Sequence, residues 1–430
     1  MLKTLKLSGV GPSPSMDLNF GDRLNLITGD NGLGKSFLLD IAFWAMTRRW
    51  PGEVNKRLTT GRLALPRPQE QGDITFSFTG KTATEQYTSH FDRQTQSWTG
   101  RAGRPANPGL VLYAMADGGF ALWDPARNYW RTQAGVDVQE RRPAYVFSPQ
   151  DVWDGLEDET GIYCNGLIRD VANWQREQGD AWTHFVWVLM TLSANEDETL
   201  FMGKLTRISL DDARDMPTLT MPYGLDVPVV HASSGMRRIL ALAYLLVWAW
   251  EEHLKASQLL AETSSNQVVF LIDEIESHLH PKWQFSVIGS LVSVMKNMAP
   301  TAQVQLITAT HSPQVLASLE PFFDATQDAW FDLDYIHGEE GADVALTQRV
   351  FEKHGTVSNW LTSEAFDLTS DRAPEIAKLL DEASKLVNQA NSNDLPALQA
   401  MNQQLLLALN PKDAFLFRWR ALAEHKGWQP

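Results

Sequence analysis

Apolar positions along the chain fall into two periods separated by turn signals. Residues 23–28, Gln267–Ile272 and residues 304–310 are short aliphatic runs rich in β-branched side chains, and their length and polar flanks predict buried strands. Residues 36–49, 166–177 and 181–192 instead carry apolar residues at helical spacing, the first of them stopped by Pro51. Residues 281–298 read as a helix with Pro281 in its first turn, between the strands that end at Ile272 and Thr310. Strand, crossover helix, strand is the connection of a parallel sheet. Asp73–Thr79 and residues 109–113 predict further strands in a stretch broken by Pro66, Pro68, Pro105, Pro108, Pro125, Pro143 and Pro149. No sustained heptads cross that stretch, so a compact insertion, β-rich and then helical, is expected at 61–227 instead of a rod. Pro374 opens a tail helix with Ile376, Leu379, Leu380, Ala383 and Leu386, and Pro411 opens another with Phe415, Phe417 and Trp419. The expected organisation is an α/β core in two sections, 1–60 and 228–345, with the 61–227 insertion between them and a helical tail at 346–430.

The polar ends of these runs carry the chemistry. Gly29-Asp30-Asn31-Gly32-Leu33-Gly34-Lys35-Ser36 is a complete G-x-x-x-x-G-K-S phosphate loop set between a strand and a helix, the context that motif requires. Its glycines let backbone N–H groups curl around a β-phosphate at a helix N-terminus, where the dipole favours negative charge. Lys35 then reaches the β- and γ-phosphates, the Ser36 hydroxyl holds Mg²⁺, and Phe37 completes the nucleotide-binding set. ATP and Mg²⁺ are the expected ligands. Asp273 and Glu274 end the second strand: Asp273 is expected to hold Mg²⁺ directly or through water, and Glu274 to polarise an attacking water. Alternation along the strand is expected to point the two carboxylates apart. His311 ends the third strand, placed to sense a γ-phosphate. Ala232-Ser233-Ser234-Gly235-Met236 opens an uncharged apolar stretch over 239–250, so small polar residues at a helix N-terminus form a second anion cradle. That stretch falls short of the roughly 20 residues that cross a bilayer and reads as a buried helix. His278 and His280 lack a third partner at metal-ligand spacing and are assigned to packing and dimer contacts.

In this order the motifs resemble the ABC-type ATPases, specifically the soluble SMC/RecF/OLD-like branch. The resemblance implies a P-loop core of mixed or parallel sheet flanked by helices, and makes residues 232–236 the signature motif, with Ser233 and Gly235 at its serine and second glycine and Ser234 between them. Asp273-Glu274 resembles the Walker B pair, residues 276–281 the D-loop region and His311 the switch histidine. For the family's glutamine loop the best match is Gln150 in Phe147-Ser148-Pro149-Gln150-Asp151, as a nucleotide and metal contact, with Gln69 and Gln71 competing. Ala232 stands where transporters usually have leucine and Met236 where they have glutamine, which points away from a transporter subunit. The family also implies a head-to-tail homodimer, each ATP lying between one subunit's phosphate loop and the other's Ser233, with Lys35, Glu274 and His311 as the catalytic set. Asp-Glu-x-Glu-x-x-Leu-His-Pro and Thr-His-Ser-Pro are similar to compact phage-defence ATPases of the Septu and retron type. That likeness implies a sensor or motor gating a separately encoded effector, a nuclease or toxin. A RecF-like DNA-repair ATPase and a nucleotide-gated scaffold with little hydrolysis are the alternatives.

Composition changes the picture little: 430 residues, 43% hydrophobic and 21% charged, describe an ordinary soluble protein too long for one core. No basic-then-apolar leader follows Met1, so a cytoplasmic location without membrane partners is expected. The single cysteine, Cys164, excludes an internal disulfide and a multi-thiolate zinc site. Charge matters more. The net −15 hides a basic stretch, with 14 Lys plus Arg against 9 Asp plus Glu between Ile41 and Gln150. Arg48, Arg49, Lys56, Arg57, Arg62, Arg101, Arg104, Arg141 and Arg142 could hold a nucleic-acid backbone, with Trp50, Trp98, Trp123 and Trp130 stacking on bases. The competing reading has these tryptophans filling a small β core and the arginines solvating its face. Asp332-Leu333-Asp334 and Glu339-Glu340 lack the surrounding β/α repeat of a Toprim nuclease and read as a strand end and a turn.

Overall fold

The three apolar runs ending in Gly29, Ile272 and Ala309 lie side by side in one sheet. The computed structural model describes residues 1–80, 84–100, 105–138, 141–193, 198–338, 341–389 and 395–425. Eight strands form the central sheet in the order Tyr145–Phe147, Phe120–Trp123, Leu110–Ala114, Gln267–Ile272, Gln303–Ala309, Leu24–Gly29, Ala329–Gly338 and Gly341–Arg349. The strands from Leu110–Ala114 to Ala329–Gly338 run parallel, and antiparallel partners close both sides. Strands covered on both faces carry continuous apolar runs, which is why they read so plainly from the sequence. Register then sets the site: Ala114, Ile272 and Thr308 are cross-strand partners, and Ala309 pairs with Ile27. Whatever follows these four strands emerges at one edge.

A second, antiparallel sheet runs Ser15–Asn19, Leu2–Ser8, Asp73–Thr79, Thr84–Asp92 and Ser97–Trp98. The helix Lys35–Thr47 touches strands of both sheets and is apolar nearly all round, burying Leu38, Leu39, Ile41, Phe43, Trp44 and Met46. The stretch 61–227 therefore does not stand apart from the core: Asp73–Thr79 pairs with Leu2–Ser8, and Leu110–Ala114 pairs directly with the acidic strand. Local periodicity shows that a strand exists but not which distant strand it joins, so this pairing was invisible in the sequence. Only the later part of the stretch is peripheral, with helices Leu167–Glu177 and Asp180–Thr191 packed on the long helix Ser234–Leu259. The expected helix at 281–298 is two pieces, Pro281–Gln284 and Val287–Met298.

Residues Met1–Gly355 make one compact unit and Thr356–Pro430 another. The boundary lies beyond the expected 345/346 because Gly341–Arg349 hairpins back onto the sheet edge. The second unit has its own core, built by Ala383 and Val387 of Pro374–Gln389, Leu398 and Leu405 of Leu395–Ala408, and Trp419 of Ala414–His425. Phe417, counted with the apolar set of its helix, faces solvent. Among the described residues no helix is long and apolar enough to cross a membrane.

The tryptophans expected to stack on bases are mostly core residues. Trp50, Trp98 and Trp123 are buried, Trp44 stacks on Trp50 with ring centroids 5.3 Å apart, and Trp98 sits 5.9 Å from Trp44. A small sheet packed on a helix leaves a wide gap that only large rings fill. Arg48 joins them, its guanidinium 4.9, 4.5 and 4.7 Å from the rings of Trp44, Phe76 and Tyr87. Arg101 and Arg104 lie outside the described residues. Asp332 is a strand residue that accepts from Thr28 at 2.6 Å and pairs with Arg349, which accounts for it without a nuclease.

Two buried carboxylates make the framework testable. Asp328 accepts from Arg23 Nε at 2.9 Å, from the Leu24 N–H at 3.1 Å and from the Asp324 N–H at 2.8 Å, and its side chain has no exposed surface. Asp328→Ala strands a guanidinium and two N–H groups, and should cost about 3–5 kcal/mol in a denaturant titration. Asp40 lies between the phosphate-loop helix and Leu110–Ala114, where burial lifts its carboxyl to about 7 against a Tyr113 hydroxyl donating at 2.9 Å. A raised folded-state value means that ionising Asp40 opposes folding, a penalty absent below about pH 4 and complete above about pH 7. Asp40→Asn removes it, so the stability of the variant relative to the parent should rise between those limits, read from denaturant midpoints across pH.

Candidate functional site

The phosphate loop begins where the strand Leu24–Gly29 leaves the sheet, and its shape depends on Gly29. At φ +131 a Cβ there would lie 2.3 Å from the Leu333 carbonyl oxygen of the neighbouring strand, so only glycine fits. Leu33 is buried and anchors the loop, Asp30, Asn31 and Gly32 face outward, and Lys35 and Ser36 open the helix behind Gly34. Phe37 packs over Gly11, where a Cβ would come within 2.5 Å of its ring. Lys35 Nζ donates to the Gly29 and Asp30 carbonyls at 2.6 and 2.9 Å, and burial holds its pKa below the usual lysine value. These carbonyls are the partners a phosphate oxygen would replace.

Beside the loop, Asp273 is almost wholly buried, and burial raises its carboxyl to about 6, an effect that the neighbouring Ser36 hydroxyl moderates. Its Oδ1 is buried with no hydrogen-bond partner. A buried carboxylate oxygen left open next to a hydroxyl is a donor pair for a hard cation such as Mg²⁺, which coordinates oxygen. The residues present fit that metal. Among the described residues no cluster of three or more His, Cys, Asp or Glu side chains is placed to hold a metal, and His278 and His280 are both exposed. Glu274 diverges from Asp273 for a reason other than strand alternation: the strand stops at Ile272, and Glu274 turns away at φ +46. It stands half-buried beside the buried Asp273.

His311 emerges from the adjacent strand, and its position is set by a residue that the sequence placed only in a loop. Glu276 is 5% exposed and takes two donors, the His311 N–H at 2.6 Å and the Thr310 hydroxyl at 2.8 Å, with His311 Nδ1 3.1 Å away. The imidazole itself stays 45% exposed. Glu276 was legible as the third acid of Asp-Glu-x-Glu, but the motif does not state that it fastens the histidine turn.

The signature residues sit at the N-terminus of Ser234–Leu259. Ser233 is the N-cap, accepting from the Met236 N–H at 3.3 Å, and both Ser233 and Ser234 are exposed. Gly235 is pressed on the turn after the acidic strand, where a Cβ would lie 2.8 Å from the His278 carbonyl oxygen. Arg238, which the sequence did not single out, donates to the Met115 carbonyl at 3.0 Å and the Asp273 carbonyl at 3.3 Å, tying this helix to two strand ends. A cavity of about 330 Å³ lies there, lined by Asp117, Ser234, Arg237, Arg238 and His278.

Gln150 lies at the rim of this group, between Pro149 and Trp153 of the cavity lining. It is exposed on the short helix Pro149–Asp154, its amide donates to Asp154, and it follows the outermost strand of the sheet. The strand bordering the acidic one is Leu110–Ala114, and the residues that follow it, Met115 to Asp117, contain no glutamine. Tyr145–Phe147 has the expected local pattern but lies at the outer edge of the strand order, and the flanking Pro149 and Trp153 line the cavity beside Ser234 and Arg238. Gln69 and Gln71 lie in the turn that precedes Asp73–Thr79, a strand of the other sheet.

The family described as "AAA domain, putative AbiEii toxin, Type IV TA system" matches residues 24–317. The chain is similar to a "Septu protein PtuA" of Bacillus thuringiensis, 21% identical over 399 residues that span 92% of this chain and 91% of that one. It is also similar to a "Retron Ec83 probable ATPase" of Escherichia coli, 29% identical over 234 residues, 53% of this chain and 36% of that one. Among solved structures, the SMC head domain from Thermotoga maritima aligns over 81% of this chain and 99% of that one at 14% identity, with a TM-score of 0.37.

The Glu276 contacts set a measurable expectation. Glu276→Ala leaves the His311 N–H and the Thr310 hydroxyl without their acceptor, each worth about 1–3 kcal/mol when buried. Exchange of the His311 amide with deuterium should accelerate at least about tenfold, since each 1.4 kcal/mol of lost protection is a factor of ten. An unchanged rate would mean that the turn is held by something other than Glu276.

Proposed function

The chain belongs to this AAA-domain family, and on that premise we propose that it is an ATPase that works as a homodimer, gating a separately encoded effector, a nuclease or toxin, in bacterial phage defence. The observation that carries the reading is the buried, unpartnered Oδ1 of Asp273 beside Ser36, directly behind a complete phosphate loop. The Septu and retron relatives support the defence setting.

Each residue then has a task that its geometry suits. Loop N–H groups from Gly29 to Ser36 cradle the phosphates at the N-terminus of Lys35–Thr47. Lys35 exchanges its two carbonyl partners for phosphate oxygens. Asp273 and Ser36 would hold Mg²⁺, which when bound neutralises phosphate charge and polarises the phosphoryl oxygens. Glu274, half-buried at the same edge, orients the attacking water and takes its proton. His311, fastened by Glu276 through Nδ1, presents Nε2 to the γ-phosphate. The exposed Ser233, at the N-terminus of its helix, supplies the second anion cradle to the ATP of the other copy.

Glu274→Gln keeps shape and removes the base. Phosphate release should fall about 10²–10⁴-fold while ATP affinity is retained. Light scattering should find the variant paired with ATP and unpaired without it. A variant that stays single-copy with ATP, or one that hydrolyses at the parental rate, would refute the reading.

A further inference from the structure

At the far end of the phosphate-loop helix, about 20 Å from the loop at 1.5 Å per residue, lies an open groove of about 1090 Å³ that the ATPase reading does not use. Arg48, Arg49, Arg127, Arg141 and Arg142 line it against Glu53 and Asp158 on the lining, while Asp124 and Glu252 pair with Arg127 from behind it. Two of these guanidinium groups are under-satisfied. Arg48 Nη1 and Arg127 Nη2 are buried without a hydrogen-bond partner, the first inside its aromatic box and the second behind an Nε bond of 2.7 Å to Asp124. Burial also holds the pKa of Arg48 at about 10 and lowers that of Arg49, with Glu53 the acid nearest Arg49. Cations withdrawn from water with few counter-acids gain from any anion that enters.

We propose that this groove is a second phosphate-binding site, one that holds the backbone of a single-stranded nucleic acid independently of the ATP pocket. Planar guanidinium forks match phosphate oxygens, and arginine is the residue that supplies them. The groove exceeds the roughly 300–1,000 Å³ of small-molecule clefts and is open, which suits a passing chain better than a lone nucleotide. A phosphodiester strand brings a charge at every nucleotide, so it meets arginines carried on separate segments without a matching side-chain order; an acidic peptide needs that match. The groove reads no bases. Tyr145 and Tyr163 already lie beneath Arg127 and Arg142, at 4.3 and 3.6 Å from guanidinium to ring centroid, so their faces are taken. Recognition is therefore by backbone charge, and preference for sequence should be weak.

The test uses the full chain carrying Lys35→Ala, which silences the phosphate loop. Fluorescence anisotropy is read with an oligothymidylate of about 16 nucleotides, with inorganic tripolyphosphate and with polyglutamate. The oligonucleotide should bind with an affinity that falls linearly in log salt. Arg49→Gln/Arg141→Gln should weaken it at least about tenfold and flatten the slope by about 1.4, at 0.7 per lost contact. Lys6→Ala/Arg169→Ala, which removes two exposed charges elsewhere, should change neither. Asp158→Asn frees Arg142 of its acid and should tighten binding several-fold, a gain that no misfolded protein can give. The proposal is overturned by no oligonucleotide binding, by parental affinity in the Arg49/Arg141 variant, by tripolyphosphate binding as tightly as the strand, or by polyglutamate binding better. Hydrolysis is not read, so failure here leaves the ATPase reading standing.

Discussion

Parallel register is the constraint from which the site follows. Because Ala114, Ile272, Thr308 and Leu26 align across four neighbouring strands, the chain must leave the sheet at one edge in every case. Backbone bonds carry the alignment past the strands: the Asp273 N–H donates to the Ala114 carbonyl at 2.9 Å and the Thr310 N–H to the Ile27 carbonyl at 3.0 Å. A one-residue slip would turn the apolar faces over and move Asp273 away from Ser36. The apolar residues that bury these strands therefore also place the polar residues beyond them, and the fold's stability and the site's geometry share one cause.

Polar groups at that edge are buried at a cost that packing alone cannot offset, and the arrangement shows where it is met. Glu276 accepts from the Thr310 hydroxyl and the His311 N–H, whereas Asp273 Oδ1 has no hydrogen-bond partner and Asp40 is lifted to about 7 by burial. Native interiors leave few such atoms unsatisfied. Glu276 completes a closed network with a structural task, while Asp273 Oδ1 is buried with no partner inside the chain. The contrast separates two neighbouring acids that sequence alone treats as one motif.

What the sequence disclosed follows the range of each interaction. The phosphate loop, the acidic pair and the histidine turn depend on contiguous residues at strand ends, so spacing and context located them. Strand pairing depends on residues far apart, so Leu110–Ala114 was recognised as a strand but not as the neighbour of Gln267–Ile272, and Gln150 was placed by local likeness. The tryptophans show the same limit. Trp44, Trp50 and Trp98 come together only when helix and sheet pack, and nothing in their spacing distinguishes a core ring from one that stacks on a base. Glu276 was visible as a letter in a motif, yet its role required the neighbouring strand to bring His311 to it.

The electrostatics of a single copy give the reason that a second copy belongs to the proposed reaction. Stabilising charge that develops on a phosphoryl group requires donors fixed in place and water kept out, because a bulk dielectric reduces a charge–charge interaction to about 1 kcal/mol at 4 Å. In one chain the outer part of the loop, at Asp30, Asn31 and Gly32, is exposed, His311 is nearly half exposed, and Ser233 and Ser234 at the helix N-terminus are exposed. Lys35, Ser36 and Asp273 enclose only the inner side. A body with net charge −15 gives no general attraction for a triphosphate, so affinity and rate must come from such local donors. Bringing a partner's Ser233 to the open side adds a helix N-terminus and removes water in the same step, and neither effect is obtained by rearranging residues within one copy.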